Sequence, residues 1–353
     1  MSAVSIPSPE EIKSIRKHLR SLLPAEAFAA TPLRALPMLL HVAIVIGCAV
    51  AIGRVPELWQ RALLGVMAGH SMAVVSFYGH ELSHGHIIRQ RAVRTLLEYV
   101  VWTITLQPTV VWRETHNRGH HRNTNTLRDA FRSYAEPERS AARSLYSWLM
   151  IPSRANRGNL MILFAPTFLH LLHAMAALFA PRAKERTLVV GLGEYSDADR
   201  VRIVLEISLI GAFQVGLFYL CGGTWALYFW AGPVAMSVAS LIGGAYTYSQ
   251  HTLHPLGAHD NPFATTSLKL PRLIDRLHIN LSHHTAHHLF DGVNADHLPQ
   301  VSQLLRTHYP HVLDERGLLE CWRAVYHNPF YKRSPEAPSH ASPDAPTVAL
   351  AAE

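Results

Sequence analysis

Three tight groups of histidines are the residues of this chain whose types and spacing best suit chemistry. They are spaced HxxxH, HxxxHH and HxxHH, and their members are His80 and His84, then His116, His120 and His121, and then His284, His287 and His288. On a helix, residues three or four apart share a face, so each group directs two imidazoles toward one point. The adjacent His121 and His288 turn about 100° away and can reach a second point. Eight neutral nitrogens exceed the needs of one four-coordinate zinc ion, so the count predicts a site for two metal ions.

The first group also matches HExxH, the helical motif of zinc proteases in which the glutamate is the general base. Glu81 would take that role, and Asp291-Gly292 would imitate the third ligand of an intramembrane protease. This interpretation leaves the second and third groups without a function. Imidazole binds iron, copper and zinc alike, but the ligand count and redox chemistry in a lipid setting favour two iron ions. The zinc protease is therefore a distant alternative.

The segments between the histidine groups are strongly apolar. Apolar residues make up 49% of the 353 residues, charged residues make up 16%, and the formal net charge is +7. Because the basic residues flank apolar runs, they favour a membrane surface as partner and predict no nucleic acid. The cysteines Cys48, Cys221 and Cys321 are scattered, which predicts neither a disulfide framework nor an iron–sulfur cluster.

Six apolar runs are long enough to be considered as membrane spans, which need about 17–25 residues. They cover residues 36–53, 62–79, 95–112, 160–180, 202–220 and 224–246. One metal site requires all three histidine groups on the same side of the bilayer. Run three must then return to the side that it left, and one of runs four to six must also fail to cross.

Basic segments indicate the orientation of these runs. Residues 89–94, 113–132, 181–187 and 200–202 are basic, which assigns them to the cytoplasm, and residues 221–223 form an external turn. The sequence therefore predicts an all-α, polytopic membrane protein with about four transmembrane helices in two hairpins, 36–79 and 202–246. In-plane or re-entrant helices and a cytoplasmic di-iron cap complete this fold. Six spans are the alternative.

Three regions are predicted along the chain. Residues 1–35 form a polar or amphipathic segment, 36–330 the membrane domain, and 331–353 a disordered tail rich in Ser, Pro and Ala. Residues 11–23 predict a helix that lies on a membrane surface or is ordinarily solvated. Its apolar face holds Ile12, Ile15, Leu19 and Leu22, and its basic residues are Lys13, Arg16, Lys17 and Arg20.

Around the histidine groups the chain resembles the membrane fatty acid desaturase superfamily, whose signature is these three histidine boxes. The resemblance covers about residues 70–325 and includes GHELSHG (79–85), THNRGHHRNTN (115–125), YSQHTLHP (248–255) and HHTAHHLF (283–290). It implies two ferrous ions with O2 as co-substrate. It also implies a ninth ligand at the end of the last span, a place that His251 occupies, with His254 as the alternative.

The remaining histidines are assigned to other roles. His278 and His283 are candidates for orienting the ligand rings from outside. His41 and His70 lie in apolar runs far from the boxes, and His170 and His173 in run four are expected to face the lipid headgroups.

The resemblance implies oxygen-dependent removal of hydrogen from an unactivated methylene of a lipid. An acyl-lipid desaturase is the leading hypothesis, and a hydroxylase or ketolase acting on fatty acids, sphingolipids or carotenoids is the closest alternative, because both outcomes use the same metals. A metal transporter would need ligands along a transmembrane path, whereas these lie at one membrane edge.

Electrons are expected from a separate donor such as a ferredoxin or cytochrome b5, because the sequence shows no haem module or flavin fingerprint. Basic residues of the cytoplasmic face either attract that donor or contact headgroups. They are Arg89, Arg91, Arg94, Arg122, Arg128 and Arg132. A bacterial inner membrane is the expected location.

Overall fold

The structure is a computed structural model that describes residues 6–126, 128–131, 165–179, 195–254, 257 and 259–327. This part of the chain is mostly helical, as predicted. Within it, four helical segments are long and apolar enough to cross a membrane, and they are Pro32–Ile52, Leu58–Ser83, Asp197–Leu220 and Trp225–His251. The predicted tail, Arg132 and the first residues of run four lie outside the described residues.

The N-terminal helix α1, Pro9–Leu22, packs against the protein. It begins at a reciprocal cap, in which the Ser8 hydroxyl accepts the Glu11 N–H at 3.3 Å and the Glu11 carboxylate accepts the Ser8 N–H at 2.8 Å. Ile12, Ile15 and Leu19 of its apolar face are buried in the largest core cluster, next to helix α12, Leu298–His308, whereas Leu22 is exposed. The polar face of the helix stays exposed, so α1 is an amphipathic helix that packs one face on the protein.

Helices α2, Ala35–Ile52, and α3, Leu58–Ser83, follow each other and pack together. Helix α3 also packs closely against α9, Ala235–His251. Gly69 lies at this contact, where an added Cβ atom would be 2.6 Å from the Val238 Cβ atom, and Gly65, one turn earlier, lies against Trp230 and Val234 just before α9. Two small residues four apart allow such close packing of membrane helices.

Run three is broken into short helices. Helix α4, Arg91–Ile104, ends before Leu106, whose φ is 60°, and before Pro108. Helix α5, Thr109–Trp112, then continues into a π-helix, Arg113–His120. Because proline disfavours a helical residue before it, the break falls where the sequence places Pro108. Neither helix is long enough to cross a bilayer, which agrees with the prediction that run three does not span.

The second half of the apolar region contains α6, Ala165–Phe179, and α7, Asp197–Leu220. A tight turn at 221–223 follows, in which Gly222 and Gly223 have positive φ values of 108° and 68°. The chain then forms α8, Trp225–Phe229, a π-helix, Trp230–Val234, and α9. The predicted turn at 221–223 is confirmed.

The segment after α9 carries short elements. They are β1, Thr266–Lys269, α10, Arg272–Leu277, α11, His284–Leu289, α12, β2, Asp314–Gly317, and α13, Leu318–His327. Strands β1 and β2 pair in parallel, with Thr266 opposite Asp314. The all-α prediction missed this small sheet, because its strands have four residues each and pair across almost fifty positions of the chain.

Candidate metal centre

All nine histidines proposed as ligands from the sequence meet at two adjacent places. Within each group, one ligand atom from every residue lies within 4.8 Å of the others. Group A contains His80, His84, His116, His121 and His287, and group B contains His120, His251, His284 and His288. The groups touch where the His121 and His288 rings stack with centroids 4.5 Å apart.

The first box ends α3. His80 and His84 both belong to group A, and their ring centroids are 4.9 Å apart. Residues four apart lie on one helix face, so this box arranges its rings as the spacing predicts. Gly79 lets α3 approach α4 at this point, since a Cβ atom there would lie 3.0 Å from the Trp102 ring.

The second box lies on the π-helix, and this changes the grouping. His116 shares group A with His121, whereas His120 joins group B. The His121 N–H donates to the His116 carbonyl at 3.0 Å, an i to i+5 bond that widens the turn. On the wider turn, residues five apart share a face. The prediction that His116 and His120 point to one place is therefore wrong.

The third box lies on α11, where His284 and His288 belong to group B and His287 belongs to group A. The two ring centroids of the group B pair are 4.5 Å apart, and their Nε2 atoms are 3.1 Å apart. The sequence predicted that His284 and His287, three residues apart, would point to one place while His288 turned away. The structure pairs His284 with His288 instead, so that prediction is wrong. His287 instead reaches His121, with Nε2 atoms 3.2 Å apart.

His251, the last residue of α9, lies in group B. Its Nε2 atom is 2.6 Å from that of His284, and its ring is 4.5 Å from the His120 ring. His254 lies elsewhere, with Nε2 2.9 Å from the Thr266 hydroxyl and 3.2 Å from the Asp314 carboxylate. The structure thus places His251, and not His254, among the converging rings.

Buried side chains hold several rings from outside. Glu81 accepts from His80 Nδ1 at 3.1 Å and from His86 Nδ1 at 2.8 Å. Asp129 accepts from His120 Nδ1 at 2.7 Å, and the Thr124 hydroxyl lies 3.1 Å from His288 Nδ1. Such partners fix the tautomer and turn Nε2 toward a metal.

The distances between ring nitrogens fit a metal centre. Two nitrogens about 2.1 Å from one ion are about 3.0 Å apart at a right angle and about 3.4 Å apart in a tetrahedron. The Nε2–Nε2 distances of 3.0 Å between His121 and His116 in group A and of 3.1 Å between His284 and His288 in group B match the right-angle value, whereas the 2.6 Å between His284 and His251 is shorter. His84 Nε2 is buried and has no hydrogen-bond partner among the described residues.

Burial favours the neutral form of six of these imidazoles. Burial lowers the pKa of each of these six imidazoles well below its ordinary value, and the neighbouring histidines lower it further. The affected residues are His84, His116, His121, His284, His287 and His288. A neutral imidazole has the free lone pair that metal binding requires. The donor set and its protonation state therefore fit two metal ions.

The contacts of Glu81 and Asp291 disagree with the roles that a zinc protease would give them. The Glu81 carboxylate is occupied by two histidine Nδ1 atoms, so it supports the rings and is not positioned as a base on a metal-bound water. Among the described residues, Asp291 is in neither histidine group, and its carbonyl lies 2.7 Å from His86 Nε2.

Several histidines outside the groups lie elsewhere than expected. His278 contacts the Tyr246 hydroxyl at 2.8 Å, and His283 contacts Ser302 and Asp275. Neither side chain hydrogen-bonds a box histidine among the described residues, so the expectation that they orient ligand rings is wrong. His170 and His173 are buried beside Phe131, with ring distances of 5.5 and 6.1 Å, and do not face headgroups.

Sequence reasoning missed the supporting side chains. Glu81 was considered only as a base, and Asp129, Thr124 and His86 were not singled out. Histidine ligands usually donate their second nitrogen to a carboxylate or hydroxyl, which is a reason to search near each box for such a residue. Such a search does not find every supporting residue, because Thr124 supports His288 from 164 residues away along the chain.

Four candidate spans and two converging groups of buried histidines define a membrane protein with a candidate metal centre at the ends of its helices. The family model described as Fatty acid desaturase matches residues 57–316, which is well over half of the chain. The chain therefore belongs to the fatty acid desaturase family. A comparison with curated proteins gives no significant match.

Proposed function

We propose that this protein is an oxygen-dependent di-iron desaturase that introduces a double bond into the fatty acyl chain of a lipid. The arrangement of five histidines in group A beside four in group B is the observation that carries the proposal. Membership of the desaturase family supports a lipid substrate. Two iron ions held by these groups would supply the redox chemistry for activating O2 against a methylene.

The protein's own residues position and protect the reaction. Glu81, Asp129 and Thr124 hold the outer nitrogens of three ligand rings, which orients their inner nitrogens. Seven of the nine rings are buried and two, His84 and His121, are half-buried, so the protein shields most of the ligand rings from water. The task left for the apolar helices is to place one methylene beside the two groups.

The proposed topology has two hairpins and a cytoplasmic cap. Box residues follow or end both α3 and α9, with His84 next to the end of α3 and His251 at the end of α9. These two helices pack along each other, so their box ends belong on one side of the bilayer. The basic residues around the boxes favour the cytoplasmic side of a bacterial inner membrane.

Product analysis after expression in a bacterial host, with a ferredoxin and its reductase, tests the function. Extracted lipids should contain acyl chains that are lighter by two hydrogens, and the purified protein should contain about two iron ions per chain. A gain of one oxygen atom would identify a hydroxylase or ketolase and contradict desaturation. A single zinc ion without lipid product would favour the protease.

Two histidine variants complete this experiment. His287→Ala removes a group A ligand and should abolish the product and lower the iron content. His297→Ala is the matched control, because this histidine lies outside both groups and bonds to Gln300. Product formation that survives His287→Ala at the control level would contradict the assignment of the metal centre.

A further inference from the structure

A cavity of about 470 Å³ opens directly above the two histidine groups. Its lining includes His121 from group A and His288 from group B, so each group contributes one ring. Three arginines, Arg16, Arg20 and Arg122, also line it. The cavity therefore joins a basic surface to both halves of the candidate metal centre.

Helix α1 provides most of this basic surface. Lys13, Arg16, Lys17 and Arg20 are exposed, although the opposite face of the helix is buried. Arg16 Nε donates to the Leu289 carbonyl at 3.0 Å, which ties α1 to the helix of the third box.

Two of the charged side chains that line the cavity are held by contacts with other residues. The Arg20 guanidinium lies 4.2 Å above the centre of the Phe28 ring, a cation–π contact that restricts its motion. Asp260 and Asp291 also line the cavity, but Asp260 is engaged by the Thr124 N–H at 2.9 Å. Three arginines against two aspartates leave the lining with a net positive charge. Lys13 and Lys17 do not line the cavity, but they are exposed on α1 three residues before Arg16 and Arg20, and this spacing places them on the same side of the helix.

We infer that this surface, made of Lys13, Arg16, Lys17, Arg20 and Arg122, docks an acidic electron-donor protein. The inference rests on the proposed function. Desaturation of one –CH2–CH2– unit consumes one O2, two electrons and two protons, and it yields –CH=CH– and two waters. A one-electron donor of the ferredoxin or cytochrome class supplies both electrons in two encounters.

The cavity explains why the donor binds at this place. A donor seated over it faces one ring of each histidine group, that of His121 and that of His288. Basic residues on the rim attract an acidic partner and speed its encounter with the site. An anionic lipid headgroup would meet the same charges but would gain nothing from proximity to the histidine rings.

This surface differs from the basic patch expected from the sequence. Arg122 is common to both, but Arg89 donates to the Phe28 carbonyl, and Arg91 is exposed at the first residue of α4. Neither Arg89 nor Arg91 lines the cavity. The two surfaces can therefore be distinguished by charge reversal.

A binding experiment compares the two surfaces in nanodiscs of zwitterionic phosphatidylcholine, so that lipid charge is absent. Binding of an acidic [2Fe–2S] ferredoxin and of soluble cytochrome b5 is measured against salt concentration. The double variant Lys17→Glu/Arg20→Glu should bind the preferred donor about tenfold more weakly at low salt, with a shallower salt dependence. The control Arg91→Glu should change the affinity less than about twofold. Thermal unfolding and metal content verify that each variant is folded.

Several results would overturn the docking surface. They are unchanged donor binding by the double variant, a larger loss for Arg91→Glu, or absence of binding by either donor. Weaker binding of the double variant to phosphatidylglycerol vesicles, with donor affinity unchanged, would identify a lipid contact instead. Wild-type protein that is reduced anaerobically with dithionite, freed of excess reductant and then mixed with O2 needs no docked protein for a single turnover. Absence of any lipid product in this reaction would contradict the proposed function and leave the binding result standing.

Discussion

Asp129 shows how one residue outside the histidine groups controls a ligand ring. Its carboxylate accepts from His120 Nδ1 at 2.7 Å and also from the N–H groups of Asn125 and Phe131, at 2.7 and 2.8 Å. Both partners of the His120 contact are buried. The loop after the second box is thereby folded around the acid that directs His120 Nε2 into group B.

We predict that Asp129→Asn weakens metal binding about 10–100-fold, the usual effect of losing the outer partner of a histidine ligand. The amide has one oxygen for three donors, so the His120 ring loses its fixed orientation. Iron retained during competition with a chelator measures the effect. Asp197→Asn, at an exposed position in the first turn of α7, should behave as wild type. Equal retention by both variants would show that Asp129 does not support the site.

Asp314 predicts a pH dependence of stability. Burial alone would raise the pKa of its carboxyl group, but hydrogen bonds from His254 and Arg316 lower it to about 2. A carboxyl with a lowered pKa stabilises the folded state above its unfolded pKa, near 3.8, and this stability is lost as the pH falls toward 2.

Between pH 5 and pH 3, this loss amounts to about 1 kcal/mol of unfolding free energy. Asp314→Asn should remove that part of the pH dependence, so its unfolding free energy changes less over this interval than that of wild type. Denaturant unfolding in detergent at both pH values measures the difference. An unchanged slope in the variant would mean that Asp314 has an ordinary pKa in the folded protein.

At the scale of elements, the π-helix accommodates the longer histidine spacing of the second box. The second box has one residue more than the third. In both boxes two rings belong to one group and the third ring belongs to the other group. In α11 the group B pair, His284 and His288, is four residues apart, and in the π-helix the group A pair, His116 and His121, is five apart. The wide turn absorbs the additional residue.

This explanation predicts unequal effects of changing the box length. Deletion of Arg118, whose side chain is largely exposed, makes the pair four apart and allows an ordinary α-turn to bring both rings to group A. Insertion of an alanine after Arg118 makes the pair six apart, which fits neither turn. Metal content should be largely kept by the deletion and lost by the insertion. Equal loss in both variants would show that the π-turn itself is required.

For the whole molecule, the contact between α3 and α9 sets the distance between the first box and His251. Gly69 leaves no room at this contact, since an added Cβ atom would meet both the carbonyl of Ala235 and the side chain of Val238. In contrast, nothing lies within 4 Å of the corresponding atom on Gly47 in α2. A matched pair of substitutions therefore separates helix packing from helix propensity.

Gly69→Ala should lower the unfolding free energy by about 1–3 kcal/mol, because the two helices must move apart. It should also reduce metal binding, since α3 carries His80 of group A and α9 carries His251 of group B. Gly47→Ala should be neutral or slightly stabilising, as alanine favours a helix more than glycine does. Thermal unfolding and metal content of the purified variants test both statements. A neutral Gly69→Ala would mean that the helices are not closely packed there.

The spacing of residues in the sequence identified the eight box histidines, the apolar runs located the four long helices, and the family resemblance implied His251 as the ninth ligand. Box spacing and apolar helices are both local properties. The spacing of a box involves only neighbouring residues, and a candidate span is recognised from the composition of one continuous run. The turn at 221–223 follows for the same reason, because glycine acts on the backbone at its own position.

Only the tertiary structure decided which rings share a group. His116 pairs with His121 because of a π-turn, and His287 joins group A across 166 residues from His121. The position of α1 over the cavity and the pairing of β1 with β2 were likewise not readable from local patterns. Each depends on free energy gained by contacts between distant segments, which outweighs the preferences of the residues within one segment.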